Sequence, residues 1–139
     1  MPQAIFVNLP VADLARSIAF YKAVGAEQNM QFSDETAAMM RFSDGINVML
    51  LTHEKYGQFA SKPIGDAHAT SSVLLAIQLD SREAVDSMVE AALATGAPEP
   101  SPVDEHGWMY GRSFEDPDGH SWGPFWMDAA AGAEAMAAG

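Results

Sequence analysis

Hydrophobic and polar positions along this chain fall into one layout that occurs twice. The apolar run Ala4–Leu9 suits a buried strand, and Pro10 bars its continued pairing. Asp13 then opens a helical pattern, with Leu14, Ile18 and Tyr21 on one face and Gly25 as the stop. Three strand-like runs follow, Glu27–Phe32, Thr36–Phe42 and Ile46–Thr52, joined by turns at Ser33-Asp34-Glu35 and Ser43-Asp44-Gly45. The second copy starts with the apolar run Ser72–Leu79. Asp80, with Glu83 three residues later, predicts the next helix start, Val85, Met88, Val89, Ala92 and Leu93 form its stripe, and Gly96 ends it. The proline-rich Pro98–Pro102 leads into a short edge-like strand, followed by strands over Trp108–Phe114 and His120–Met127, reversed at Asp116-Pro117-Asp118-Gly119.

Two copies of one supersecondary unit predict an α+β fold. Residues 1–128 read as a single domain of two tandem βαβββ units, ~4–52 and ~72–128, forming a curved mixed sheet around a cleft with the helices on the outer face. The segment 53–70, with Pro63, two glycines and two histidines, is either a lid or a linker between the copies. The Ala/Gly-rich stretch 129–139 reads as a frayed or weakly helical tail outside the fold.

Charge narrows the function classes. Seven Lys and Arg against nineteen Asp and Glu give a formal net of −12, which disfavours nucleic acid and anionic membranes as partners. No apolar run approaches ~18 residues, and the N-terminus lacks a basic region followed by an apolar stretch, so a cytoplasmic protein is expected. The absence of cysteine excludes disulfides, thiolate metal sites and a cysteine nucleophile.

The stretches Asn8-Leu9-Pro10-Val11-Ala12-Asp13-Leu14 with Ser17, Phe20 and Tyr21, and Phe114-Glu115-Asp116-Pro117-Asp118-Gly119-His120, resemble the vicinal oxygen chelate superfamily. That superfamily includes glyoxalase I, bleomycin- and fosfomycin-resistance proteins and extradiol dioxygenases. Met49-Leu50-Leu51-Thr52-His53-Glu54-Lys55 and Trp122-Gly123-Pro124-Phe125-Trp126-Met127-Asp128 are similar to an uncharacterised glyoxalase-like branch. The resemblance spans residues ~4–128 and specifies fold better than reaction, because this fold hosts many chemistries. It implies a small-molecule ligand and a homodimer.

Metal-dependent members place His, Gln or Glu on the first, fourth, fifth and eighth strands of the fold. Counting from Asp13, Thr52, Asp80 and the Asp-Pro-Asp-Gly turn, those positions fall here on Phe6, Leu50, Leu74 and Gly123. None of these residues offers the oxygen or nitrogen donors a divalent ion needs at ~2.0–2.2 Å. A shift of one or two residues brings Asn8, Met49 and Trp122 to these positions and makes no better site. No cofactor is therefore expected. Ligands from elsewhere would have to come from His53, His68, His106 and His120, which lack an i, i+4 or HxH spacing.

Alternation within the strands nominates the cleft lining instead. Phe6 and Asn8, Val48 and Leu50, Leu74 and Ala76, and Phe125 are assigned to the cleft face, while Trp122 and Trp126 are assigned to the helices. Trp108, Tyr110 and Arg112 share a face. If that face is the cleft, it offers an aromatic wall and a guanidinium for an anion, and the neighbouring Gly107 and Gly111 favour this placement. On the other face they are core and surface. Arg41 is a second anion-contact candidate, with a surface ion pair as its other role. No nucleophile elbow or phosphate loop occurs, and Glu115 and Asp116 suit a turn better than a catalytic pair. The expected function is small-molecule binding in an apolar cleft without a metal in the family position. The alternative is a lyase, isomerase or dioxygenase that holds a metal through non-standard ligands.

Overall fold

The computed structural model describes residues 1–138, and Gly139, the last residue of the expected tail, lies outside them. Backbone contacts divide the chain into two compact units. One holds Met1–Ser72 together with Asp116–His120, and the other holds Val73–Glu115 and Ser121 onward. Among the described residues each unit carries its own mixed sheet, as the α+β reading expects.

In the first unit, β1 (Ile5–Val11), α1 (Leu14–Ala23), β2 (Glu27–Asn29), β3 (Ala37–Ser43) and β4 (Ile46–Thr52) follow the predicted order. The strands are arranged β1-β4-β3-β2, with β1 parallel to β4 and the other pairs antiparallel. Asp13 caps α1 by accepting from the Arg16 backbone N–H at 3.1 Å, and the chain leaves the helix through Gly25 at φ 108°, a conformation that favours glycine. The expected strand 27–32 stops at Asn29. There the side-chain amide oxygen accepts from Gln31 N and turns Met30–Phe32 into a 3-10 turn.

Helix α1 covers one face of this sheet. Tyr21 and Ser17 on the helix and Ala38, Met40, Val48 and Leu50 on β3 and β4 are fully buried. The Asp-Pro-Asp-Gly turn, although it lies within the second repeat, belongs to this unit. Asp116 accepts from the Tyr21 hydroxyl at 2.7 Å and from the backbone N–H groups of Asp118 and His120 at 2.9 Å each. Asp118 accepts from Ala12 N at 2.8 Å and from Ser17 Oγ at 3.2 Å, and His120 Nε2 lies 2.9 Å from the Pro10 carbonyl. These bonds lock the turn onto the β1–α1 corner. The turn and its partner residues are thus two halves of one clamp.

The segment 53–70 does not remain a loop throughout. Thr52 Oγ1 accepts from Lys55 N and starts α2 (His53–Phe59), with Glu54 favourably placed in its first turn. The remainder passes so close to Gly119 (φ 87°) that a Cβ there would sit 2.8 Å from the backbone of Ala67 and of His68.

In the second unit, β5 (Leu74–Gln78), α3 (Arg82–Ala94), β6 (Asp104–Glu105), β7 (Met109–Gly111), β8 (Phe114–Glu115), β9 (Ser121–Met127) and α4 (Ala129–Ala138) follow in order. The sheet runs β5-β9-β7-β6, with β8 also on β9. Helix α3 is capped by Ser81, which accepts from Ala84 N at 3.0 Å, rather than by Asp80. The predicted strand 108–114 is broken at Arg112 and Ser113 into β7 and β8, which follow one another along β9.

The stretch expected to be a frayed or weakly helical tail is a helix over Ala129–Ala138 with a packing role. In α4, Gly132 is buried so tightly that a Cβ would lie 2.6 Å from Trp108 Cε3. Asp128 starts this helix by accepting from Ala131 N at 3.1 Å. A residue without a side chain is what lets the helix reach the indole, which composition alone does not reveal.

Candidate functional site

Strand register decides which side chains can share a site. In the parallel pair β1–β4, Phe6 stands opposite Asn47, Asn8 opposite Met49, and Leu9 opposite Leu50. Partners in register present side chains on the same face. Phe6 and Asn8 therefore share a face with Asn47, Met49 and Leu51, whereas Val48 and Leu50 lie on the face that α1 covers. The assignment of Val48 and Leu50 to the ligand face is corrected accordingly: both are fully buried core. It came from anchoring two strands separately, and an error of one residue exchanges faces.

On the open face a pocket of about 350 Å³ is lined by Asn8, Leu51, Tyr56, Phe59 and Ala60. The strands β1 and β4 supply its floor, and α2 supplies an aromatic wall. Tyr56 and Phe59, three residues apart, project from one side of that helix. Lys55 Nζ lies 5.4 Å from the centroid of the Phe59 ring, a cation–π contact. The Asn8 amide donates to the Phe6 carbonyl at 3.3 Å. Of this lining only Asn8 was nominated from sequence. The signal for the rest was present in the helix start at Thr52 and the spacing of Tyr56, Phe59 and Ala60, but reading 53–70 as loop concealed it.

In the second unit, Leu74, Ala76 and Gln78 of β5 pair in register with Ser121, Gly123 and Phe125 of β9. Leu74, Ala76 and Phe125 thus share one face, as alternation places them. Leu74 is 76% exposed. Leu75 and Ile77 share the opposite face with Trp122 and Pro124.

Tyr110 and Arg112 require a correction. Tyr110 pairs with Trp126, so it faces α3, and its hydroxyl donates to Asp86 of that helix at 2.6 Å. Arg112 donates to both oxygens of Glu99 at 3.0 and 2.8 Å, to Asp86 at 3.0 Å and to Glu90 at 3.0 Å. The hydrogen bonds to Glu99 lead in raising its pKa further above the ordinary arginine value. The hydroxyl of Tyr110, then Arg112, hold the Asp86 carboxyl below its usual range, and Arg112 does the same for Glu99. The guanidinium is engaged on every side by carboxylates of its own unit. It braces α3 and the 98–102 segment against the sheet instead of meeting an anion. Trp108 packs on Gly132 and stacks with His106 at 5.8 Å between centroids. Arg82 of α3 lies 5.1 Å over both Tyr110 and Trp126, which places Trp126 on the helix side as expected. Arg41 forms its ion pair with Asp44.

The metal positions can be judged by donor chemistry. Because Leu50 lies on the α1 face, the β4 residues on either side of it that share the face of Phe6 and Asn8 are Met49, a thioether, and Leu51. Phe6, Leu50 and its neighbours Met49 and Leu51, Leu74 and Gly123 provide no oxygen or nitrogen donor from a side chain, so they do not fit a hard or borderline divalent ion. Of the histidines, His106 pairs with Asp104 at 2.7 Å and His120 is held on the Pro10 carbonyl. Among the described residues, no group of three or more His, Asp or Glu side chains is placed to hold a metal ion.

The architecture has counterparts among solved structures. A hypothetical protein from S. aureus matches with a TM-score of 0.75 and 23% identity, over 91% of this chain and 94% of its own. A glyoxalase/bleomycin resistance protein/dioxygenase family enzyme from Burkholderia phytofirmans matches at 0.71 and 24%, over 88% of this chain and 97% of its own. The fosfomycin resistance protein FosX from Mesorhizobium loti matches at 0.70 and 16%, over 96% and 98%. At these identities the likeness concerns the fold. No curated protein matches the chain in sequence. The family model described as Glyoxalase/Bleomycin resistance protein/Dioxygenase superfamily matches residues 4–123, which takes in the first repeat, most of the second, the clamp at Asp116–His120 and the pocket floor, and the chain belongs to that superfamily.

Proposed function

We propose that this protein binds a small, largely apolar molecule in the pocket on the first sheet and does so without a metal in the family position. The observation that carries this reading is the pocket itself. Its volume of about 350 Å³ lies at the lower end of the range of small-molecule sites, and it is lined by apolar and aromatic side chains with few polar points. The occupation of the family ligand positions by Phe6, Leu50, Leu74 and Gly123, none of them a donor, supports the metal-free half. The arginine that would have served an anion is committed to Asp86, Glu90 and Glu99, so a neutral ligand fits better than a carboxylate or phenolate. Fold-level analogy supports a homodimer, and no described helix is long and apolar enough to cross a membrane.

A thermal-shift screen of small aromatic and aliphatic compounds, run in parallel on wild type and Tyr56→Ala, tests the reading. The expected result is stabilisation by a subset of neutral compounds that is lost in the variant. Ligands that stabilise both proteins equally would place binding elsewhere and overturn the assignment of this pocket.

A further inference from the structure

A positive charge stands beside the apolar pocket of the first sheet without forming part of its lining. Lys55 Nζ lies 5.4 Å from the centroid of the Phe59 ring, while the pocket is lined by Asn8, Leu51, Tyr56, Phe59 and Ala60. The ammonium therefore covers Phe59 from outside the pocket, and the ring offers its other side to a ligand. Among the described residues Lys55 has no carboxylate within ion-pair distance, so its charge is left to act on the ring. A cation over one face of an aromatic ring draws π electrons toward itself and leaves the far face less negative. Such a face disfavours a second cation and attracts the negative face of an electron-rich ring. Phe59 is 71% exposed, so that face is open to receive one.

Asn8 adds a polar point. Its side-chain nitrogen donates to the Phe6 carbonyl at 3.3 Å, and a carbonyl oxygen only accepts, which fixes the orientation of the amide. Asn8 Oδ1 is thereby left as an acceptor, on a residue that is exposed and lines the pocket.

We propose that the pocket selects a neutral, electron-rich aromatic molecule that carries an N–H or O–H donor. Its ring stacks on the face of Phe59 opposite Lys55, beside Tyr56, and its donor meets Asn8 Oδ1. The inference rests on the reading that this pocket binds a small molecule, and adds the electronic character of the ring and the donor.

The probes are indole, its near-isostere benzofuran, which lacks the N–H, and indole fluorinated at all four benzo carbons, whose ring is electron-poor. Each is titrated by calorimetry into wild type, Lys55→Met, Lys55→Arg and Asn8→Leu, with amide chemical-shift mapping of Asn8 and residues 51–60. Wild type should bind indole about fivefold tighter than either analogue. Lys55→Met should remove the preference over the fluorinated ring, and Lys55→Arg should keep it. Asn8→Leu should remove the preference over benzofuran alone. Neither Lys55 nor Asn8 belongs to the buried core, so each variant should fold. Equal affinity for indole and either analogue, or a preference that survives the variant meant to remove it, would overturn the proposal while leaving small-molecule binding intact. Binding of none of the three, with shifts at Asn8 and Tyr56 produced by some other compound, would also overturn it. Absence of any compound that shifts those signals would remove the underlying reading as well.

Discussion

Replacing Tyr21 by Phe isolates the clamp between the Asp-Pro-Asp-Gly turn and the β1–α1 corner. Tyr21 is fully buried, and its hydroxyl gives Asp116 a bond of 2.7 Å while leaving the ring packed against Phe20 and Phe42. The substitution keeps that packing and removes one donor from a carboxylate that is 3% exposed. A hydrogen bond to a charged group contributes roughly 1.5–3 kcal/mol, and Asp116 retains two backbone donors, so a loss of about 2 kcal/mol is expected. For a chain of this length that corresponds to a fall in Tm of roughly 8 °C.

The loss should also depend on pH. Burial, the largest influence, raises the Asp116 pKa above its ordinary 3.8, against the opposing pull of His120 and of the hydrogen bonds. With the folded value above the unfolded one, ionisation costs stability as pH rises through the folded pKa, and the Tyr21 hydroxyl offsets part of that cost. The penalty of Tyr21→Phe should therefore be full at neutral pH and shrink once Asp116 is protonated. Urea denaturation of wild type and variant across acid and neutral pH measures both effects. A loss under about 0.5 kcal/mol at neutral pH, where such a bond should contribute more, would refute the clamp as a source of stability.

Arg112→Met should destabilise the second unit by roughly 1.5–3 kcal/mol, because Asp86, Glu90 and Glu99 then face one another without their cation while Asp86 and Glu90 stay largely open to water. Asp86 and Glu99 have folded pKa values below the ordinary 3.8 and 4.5, so their contribution is present above those values and disappears as pH falls through the folded ones. Acid denaturation of the variant should accordingly be shallower than that of wild type below about pH 4.5. Gly132→Ala should lift α4 from Trp108, seen as a red-shifted indole emission and faster amide exchange over 129–138, since the new Cβ would meet the ring at 2.6 Å. Gly119→Ala combines a positive φ of 87° with backbone contacts at 2.8 Å and should cost more stability than Gly132→Ala, measured by thermal melts.

Much of this fold was legible in the chain because periodicity and stop signals agree. Asp13 and Gly25 bracket α1, Gly96 ends α3, and Ile46–Thr52 forms the strand predicted. The site was less legible, and for a specific reason. Alternation assigns residues to faces only within one strand, and the relation between strands depends on register, which hydrophobic runs such as Asn47–Leu51 leave open. Val48 and Leu50 were misplaced by that ambiguity. Trp108, Tyr110 and Arg112 were pulled toward the ligand by nearby glycines, but Gly132 on another element and the carboxylates of α3 decide their surroundings.

The most direct test of the metal-free reading is the metal content per chain after incubation with Ni, Zn, Mn and Fe(II) followed by desalting. With Phe6, Leu50, Leu74 and Gly123 at the family positions, retention should stay far below stoichiometric for every ion, and Tm should not change on adding a chelator. Retention near one ion per chain would contradict the metal-free reading and direct attention to lyase, isomerase and dioxygenase chemistry through ligands these positions do not supply.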